Sequence, residues 1–177
     1  MGRVKKAILG VDLSLNASGL CYRDRRGTYT FYETNFTSSM ITSDRWEGTV
    51  KIVLDFARKS DIIFIEDYAH GAKGSAKSSL YELGGIIRYE LGKIPKTFYA
   101  VPPTSLKKFV TGKGNCPKSL ILKEVYKRWN ADVDSDNIAD AFGLVKMAEG
   151  CLGMLELTKA QTEVLKKLDY DFCVPLN

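Results

Sequence analysis

The first strong feature of the chain is an unbroken apolar run, Ala7-Ile8-Leu9-Gly10-Val11, that stops at an acid, Asp12. A second run of the same kind, Ile62-Ile63-Phe64-Ile65, stops at Glu66. Short continuous runs of this sort are strands covered on both faces, as in the middle of a sheet with helices above and below. The pattern predicts strands over residues 5–13, 18–24, 28–34, 61–67 and 97–101. The polar turn Arg23-Asp24-Arg25-Arg26-Gly27 joins the second to the third, so the first three strands form an antiparallel meander.

Helical spacing takes over between and after these runs. Beyond a loop over 36–43, Ser43 or Asp44 is placed to cap a helix reaching about residue 58, with Trp46, Val50, Val53, Leu54 and Ala57 on one face. Residues 69–77, with His70, Lys73 and Lys77, predict a flexible basic loop, and a helix follows over 78–91. Pro102-Pro103 ends the fifth strand, and Ser105 starts a short basic helix, Leu106-Lys107-Lys108-Phe109-Val110. After the turn Thr111-Gly112-Lys113-Gly114-Asn115, Pro117 suits the first turn of a helix to Trp129. Further helices are expected over 135–150 and from Thr158 onward, the last with Val164, Leu165 and Leu168 on its apolar side. The order predicts an α/β fold, a mixed five-stranded sheet with helices on both faces. No repeat or low-complexity segment divides the chain, so residues 1–150 are expected as one domain, with 151–177 a helical extension packed on it.

Composition narrows the class without naming a chemistry. A chain of 177 residues, 45% hydrophobic and 27% charged, suits one globular domain with a sizeable core. Lys plus Arg outnumber acids 26 to 21, for a net charge of +5, which permits an anionic partner without demanding one. Cys21, Cys116, Cys151 and Cys173 are widely spaced with no Cys-x-x-Cys pair, which argues against a zinc knuckle. The apolar run after the basic start is too short for a signal peptide, and no stretch is long enough to span a bilayer. A reducing cytoplasm with no membrane partner is therefore expected.

The chemistry lies in the acids. An isolated carboxylate at the end of a buried strand either neutralises or finds a counter-ion. Asp12 and Glu66 end strands that are neighbours in this layout. Asp136 and Asp140, four apart on the helix over 135–150, lie about 40° from each other around its axis, with Asn137 on the same face. Oxygen donors alone suit a hard cation such as Mg2+. Two such ions about 3.5 to 4 Å apart serve in-line phosphodiester displacement. Taken singly, Asp12 has a plainer role as a turn residue and Asp136 as a helix cap, whereas Asp140 lies one turn inside a helix with an apolar stretch after it. Lys107, Lys108, Lys113 and Lys118 gather around a turn with two glycines and a helix N-terminus, an arrangement that favours phosphate.

Four segments together resemble the RuvC-type Holliday junction resolvases of the ribonuclease H-like superfamily, over roughly residues 7–149. They are Ile8-Leu9-Gly10-Val11-Asp12 with Ser18-Gly19; Ile63-Phe64-Ile65-Glu66; residues 101–114, rich in Lys and containing Thr111-Gly112-Lys113-Gly114, with Lys118; and Asn137-Ile138-Ala139-Asp140-Ala141-Phe142. The compact size resembles the phage-type members. The resemblance implies a ribonuclease H-like nuclease domain and a homodimer that nicks two strands of branched double-stranded DNA at symmetry-related positions. It implies Mg2+, with Mn2+ able to substitute. It carries the family acids onto Asp12, Glu66 and Asp140, and the basic residues near the site onto Lys107 and Lys118. At the remaining acidic position this chain has Asn137, a departure, and Asp136 beside it is the expected ligand, with Asn137 the second choice. Tyr68 stands where the family places an aromatic that enters the junction, and Lys73 and Lys77 are expected on the DNA backbone. Gly84-Gly85 costs a helix about 1 kcal/mol per glycine and suggests close approach of a sheet, a second subunit or a DNA strand. Two other readings stand beside this one: cleavage of RNA:DNA hybrids by similar acids, and a catalytically dead junction-binding protein.

Overall fold

The computed structural model describes residues 5–37, 40–68, 75–168, 170–171 and 173. Its strands are β1 (Ile8–Asp12), β2 (Gly19–Arg23), β3 (Tyr29–Glu33), β4 (Ile62–Glu66) and β5 (Phe98–Val101). Its helices are α1 (Thr42–Lys59), α2 (Ser75–Gly92), α3 (Pro103–Thr111), α4 (Lys118–Trp129), α5 (Asp136–Cys151) and α6 (Lys159–Leu168). The sheet runs β3-β2-β1-β4-β5, with β1–β2 and β2–β3 antiparallel and β1–β4 and β4–β5 parallel. This is the mixed five-stranded sheet expected from the order of the elements.

Alternation along the central strands divides the core in two. Ile8, Cys21, Ile62 and Phe64 face a cluster built from α3 to α6, including Leu106, Phe109, Val125, Phe142 and Leu165. Leu9, Val11, Leu20, Ile63 and Ile65 face Val53, Leu54 and Ala57 of α1 and Leu83, Ile87 and Leu91 of α2. Helices therefore cover both faces. Beyond residue 150, Val164 and Leu165 enter the first cluster, Gln161 donates from Nε2 to the Phe109 carbonyl, and the Tyr170 hydroxyl donates to the Ala100 carbonyl. Among the described residues no helix is long and apolar enough to cross a membrane.

Helix α5 positions the site. Every residue from Ala139 to Cys151 is buried, because the helix crosses the middle of the sheet and carries α3, α4 and α6 on its outer side. Two glycines let it settle that close. A Cβ at Gly10 would overlap the Ala141 carbonyl, and a Cβ at Gly19 would overlap the Asn137 carbonyl. At the far end, the buried Glu149 carboxylate accepts from Tyr29 and Lys146 and pairs with Arg23, tying the helix to β2 and β3. At the near end, Ser135 caps the helix by accepting from the Ile138 amide. Gly10→Ala is expected to destabilise the protein by about 2–3 kcal/mol, read as a fall in Tm of roughly 5–10 °C, since helix or strand must shift to admit the methyl. An unchanged Tm would mean that α5 does not sit on β1 this closely.

Several local expectations are corrected. Neither Ser43 nor Asp44 caps α1: Ile41 takes that position and offers no side-chain acceptor. Asp44 lies inside the first turn, where its charge meets the positive end of the helix. Helix α2 starts at Ser75, so the last three residues of the expected 69–77 loop are helical. Helix α3 starts at Pro103, since proline's missing N–H costs nothing at that position. Within the chain, Gly84 makes room for the ring and hydroxyl of Tyr68 rather than for the sheet.

Candidate active site

The parallel register of β1 and β4 pairs Val11 with Ile65, so the next residues, Asp12 and Glu66, emerge side by side at one end of the sheet. Asp140, one turn into α5, joins them. All three line one cavity of about 500 Å³ together with Asn137, Lys107 and Lys118. Asp12 and Asp140 are buried and Glu66 half-buried.

Such crowding has an electrostatic cost, which is visible in the acids themselves. Burial, then the neighbouring Glu66 charge, holds the Asp12 carboxyl well above the ordinary carboxylate range. The hydrogen bond between the two side chains raises Asp12 further and lowers Glu66. Burial raises Glu66 as well, opposed by that hydrogen bond and by the charges of Lys107 and Lys118. Asp140 is pushed up to about 7, first by burial and then by Glu66. Its Oδ1 is buried with no hydrogen-bond partner. Among the described residues no three acidic, cysteine or histidine side chains are drawn together tightly enough to enclose an ion as they stand. The acids instead repel one another and leave one oxygen unsatisfied, and a dication bound among them would relieve both. An all-oxygen donor set of this charge fits Mg2+ or Mn2+.

The basic side of the cavity comes from α3 and α4. Lys107 lies close enough to Glu66 and Asp140 to favour their charged forms. Lys118, first residue of α4, donates to Asp136, and that bond raises its ammonium above the ordinary lysine value. Asp136 does not line the cavity; its neighbour Asn137 does. Lys108 points to α6, with its ammonium 3.8 Å from Glu163. Lys113 is exposed in the turn after α3, where Gly112 at φ 80° ends the helix and the Thr111 hydroxyl donates back to the Lys107 carbonyl. Lys73 and His70 lie outside the described residues; Lys77 falls within α2, its side chain outside them.

Tyr68 lines the same cavity but is held in place. Its ring meets Tyr81 edge-on at 4.5 Å, the Arg88 guanidinium lies 4.2 Å from its centroid, and its hydroxyl donates to the Tyr81 carbonyl at 3.1 Å. Arg88 also donates to Asp67 at 2.8 Å, so the second acid of Glu66-Asp67 is paired with a cation.

One acid beside the site escaped sequence reasoning. Glu33 ends β3 and accepts from the Ser135 hydroxyl at 2.5 Å and from Asn137 Nδ2 at 3.1 Å. The signal was available: Glu33 closes its strand as Asp12 and Glu66 close theirs. It was obscured because β3 is not a continuous apolar run, and its Tyr29-Thr30-Phe31-Tyr32-Glu33 sequence reads as an ordinary edge strand.

No protein-family model matches the chain, and no curated protein matches it. Solved structures do. The structure of Thermus thermophilus RuvC superposes with a TM-score of 0.59 at 14% identity, covering 86% of this chain and 99% of that one. Thermus thermophilus RuvC in complex with a Holliday junction substrate superposes with a TM-score of 0.64, again at 14% identity, with the same 86% and 99% covered. At this identity the likeness is one of fold: a mixed five-stranded sheet with helices on both faces.

Proposed function

We propose that the chain is a divalent-metal-dependent endonuclease that cuts branched DNA, four-way junctions above all, by paired nicks. The observation that carries this reading is the acid cluster. Three carboxylates from β1, β4 and α5 converge on one cavity, repel one another and leave a buried oxygen unsatisfied, with two lysines facing them. A purely structural site would have no use for that arrangement, which costs stability. The superposition on RuvC bound to a Holliday junction supports branched DNA as the substrate.

Asp12, Glu66 and Asp140 would hold Mg2+ or Mn2+, with Asn137 as a neutral further donor. When bound, the metal supplies an activated water and stabilises the leaving oxygen. The chain's own groups do the rest. Lys107 and Lys118 bind the scissile phosphate and offset the negative charge that develops on it. Asp136, committed to Lys118, holds that ammonium at the rim of the cavity, and this favours Asn137 over Asp136 as the ligand. Tyr68 forms a fixed aromatic wall beside the acids, and Lys113, from the turn, meets the DNA backbone. A single acid cluster of this kind among the described residues and two strands to cut imply a pair of chains acting together.

The test is incubation of the purified chain with labelled four-way, flap and RNA:DNA hybrid substrates, with Mg2+ and with a chelator. Metal-dependent nicking of the four-way junction is expected. Preference for the hybrid would replace this reading with ribonuclease H activity, and binding without cleavage would leave a junction-binding protein. Lys118→Ala is expected to slow cleavage about tenfold and to lower the salt slope of junction binding by about 1, as for the loss of one phosphate contact. A slope equal to wild type would remove Lys118 from the phosphate.

A further inference from the structure

The row of residues at the site end of the sheet suggests a second layer behind the acids. In the registers of β1, β2 and β3, Asp12 pairs with Gly19, and Gly19 with Glu33. Gly19 has no side chain, and the Asn137 carbonyl occupies the space a Cβ would need. The start of α5 therefore drops onto β2 between an acid on each side. Asp12 faces the cavity; Glu33, at the end of the edge strand, does not line it. Instead one Glu33 oxygen accepts from both Ser135 and Asn137.

An asparagine amide has two unlike ends, a donor and an acceptor. An acceptor such as the Glu33 carboxylate selects the NH2 end. With Nδ2 committed to Glu33, the Oδ1 end of Asn137 is left for the cavity that Asn137 lines with Asp12, Glu66 and Asp140. A neutral amide that could present either end is thereby fixed as an oxygen donor. Outer carboxylates that orient ligands in this way affect metal affinity about as strongly as some ligands do.

We infer that Glu33 is a positioning residue for the metal site: it turns Asn137 so that its oxygen, not its NH2, faces the ion. This rests on the metal-site reading above. It also accounts for how a chain with Asn where an acid is expected keeps a working donor there, since the charge is supplied one layer back, by Glu33. The same carboxylate secures the Ser135 cap, so the start of α5 and the amide are set by one group.

The test is Mn2+ binding to the metal-free full chain, followed by the electron paramagnetic resonance signal of free Mn2+, with thermal melts in chelator alongside. Glu33→Ala and Asn137→Ala are each expected to weaken Mn2+ binding about tenfold, and the double variant no further, because both remove the same oxygen. Ser135→Ala, which removes only the cap, is expected to lower Tm and leave Mn2+ affinity unchanged. Glu33→Gln keeps the shape and serves where Glu33→Ala folds poorly; its amide can no longer dictate the Asn137 orientation, so a loss of affinity is again expected. Additive losses in the double variant overturn the inference, as does wild-type affinity in a folded Glu33→Gln. If Asn137→Ala binds Mn2+ normally while Asp12→Asn and Asp140→Asn do not, the metal site stands and the role of Glu33 falls. If the wild-type chain binds no Mn2+, both fall.

Discussion

Asp12→Asn is expected to lower four-way junction cleavage by at least about 10³-fold and to leave junction affinity within about twofold. The reasoning starts from where Asp12 sits. It is buried at the end of β1, hydrogen-bonded to Glu66 and within the field of Asp140, so it meets both of the other acids in the cluster. Asn keeps the shape but removes the charge on which a cation depends. Losing about 4 kcal/mol of transition-state stabilisation is a factor of about 10³ in rate. Binding draws on different groups, the lysines that meet phosphates, and those remain. Glu66→Gln is expected to behave alike. The same substitution also removes a crowded buried acid, so the variant should melt no lower than wild type in chelator, which separates lost chemistry from lost folding. Wild-type cleavage rates in a folded Asp12→Asn would end the proposed mechanism.

The site was legible where it depends on strand ends. Asp12 and Glu66 each close a continuous apolar run, and a parallel pairing of those runs was enough to bring them together. Asp140 was legible because an apolar stretch, Ala141-Phe142-Gly143-Leu144-Val145, follows it on the helix. What the sequence could not reveal is which acid answers to which cation. Asp136 and Asn137 share a helix face, and only the approach of α4, which brings Lys118 to Asp136, separates their surroundings. The Arg88–Asp67 pair joins two elements about 20 residues apart with no periodic signal linking them. Tyr68 is expected to enter the junction; Gly84, on a helix that begins three residues earlier than expected, supplies a recess that holds it against α2. Helix α1 shows the same limit at small scale. Ser43 and Asp44 are good capping residues by type, yet the chain enters extended at Ile41 and the helix begins without either. Element order is set by local pattern, whereas the partners of polar side chains are set by packing between elements.

Metal-free protein is expected to lose stability as pH rises from about 4 to about 7, in the component that Asp140 contributes, and Asp140→Asn is expected to abolish that component. The direction follows from linkage. A carboxyl whose value in the folded state is raised, here from the ordinary 3.8 to about 7, binds more protons folded than unfolded. Its stabilising contribution is complete below about 4 and is lost as pH climbs through about 7. At 1.36 kcal/mol per pH unit, the difference is on the order of 4 kcal/mol for a group only 6% exposed. The difference in Tm between Asp140→Asn and wild type, measured in chelator, should therefore widen from pH 5 to pH 8 in favour of the variant. Comparing the two proteins at each pH cancels the titration of acids outside the cluster. Adding Mg2+ at pH 8 should reverse the order, because the ion stabilises only a chain with its carboxylates intact, by an amount that grows with the logarithm of its concentration. At pH 5 the same Mg2+ should do much less, since protons then compete for the same oxygens. Parallel melting curves for the two proteins across this range in chelator would mean that Asp140 is not held above its ordinary value, and that the acids do not crowd one another as the cavity requires.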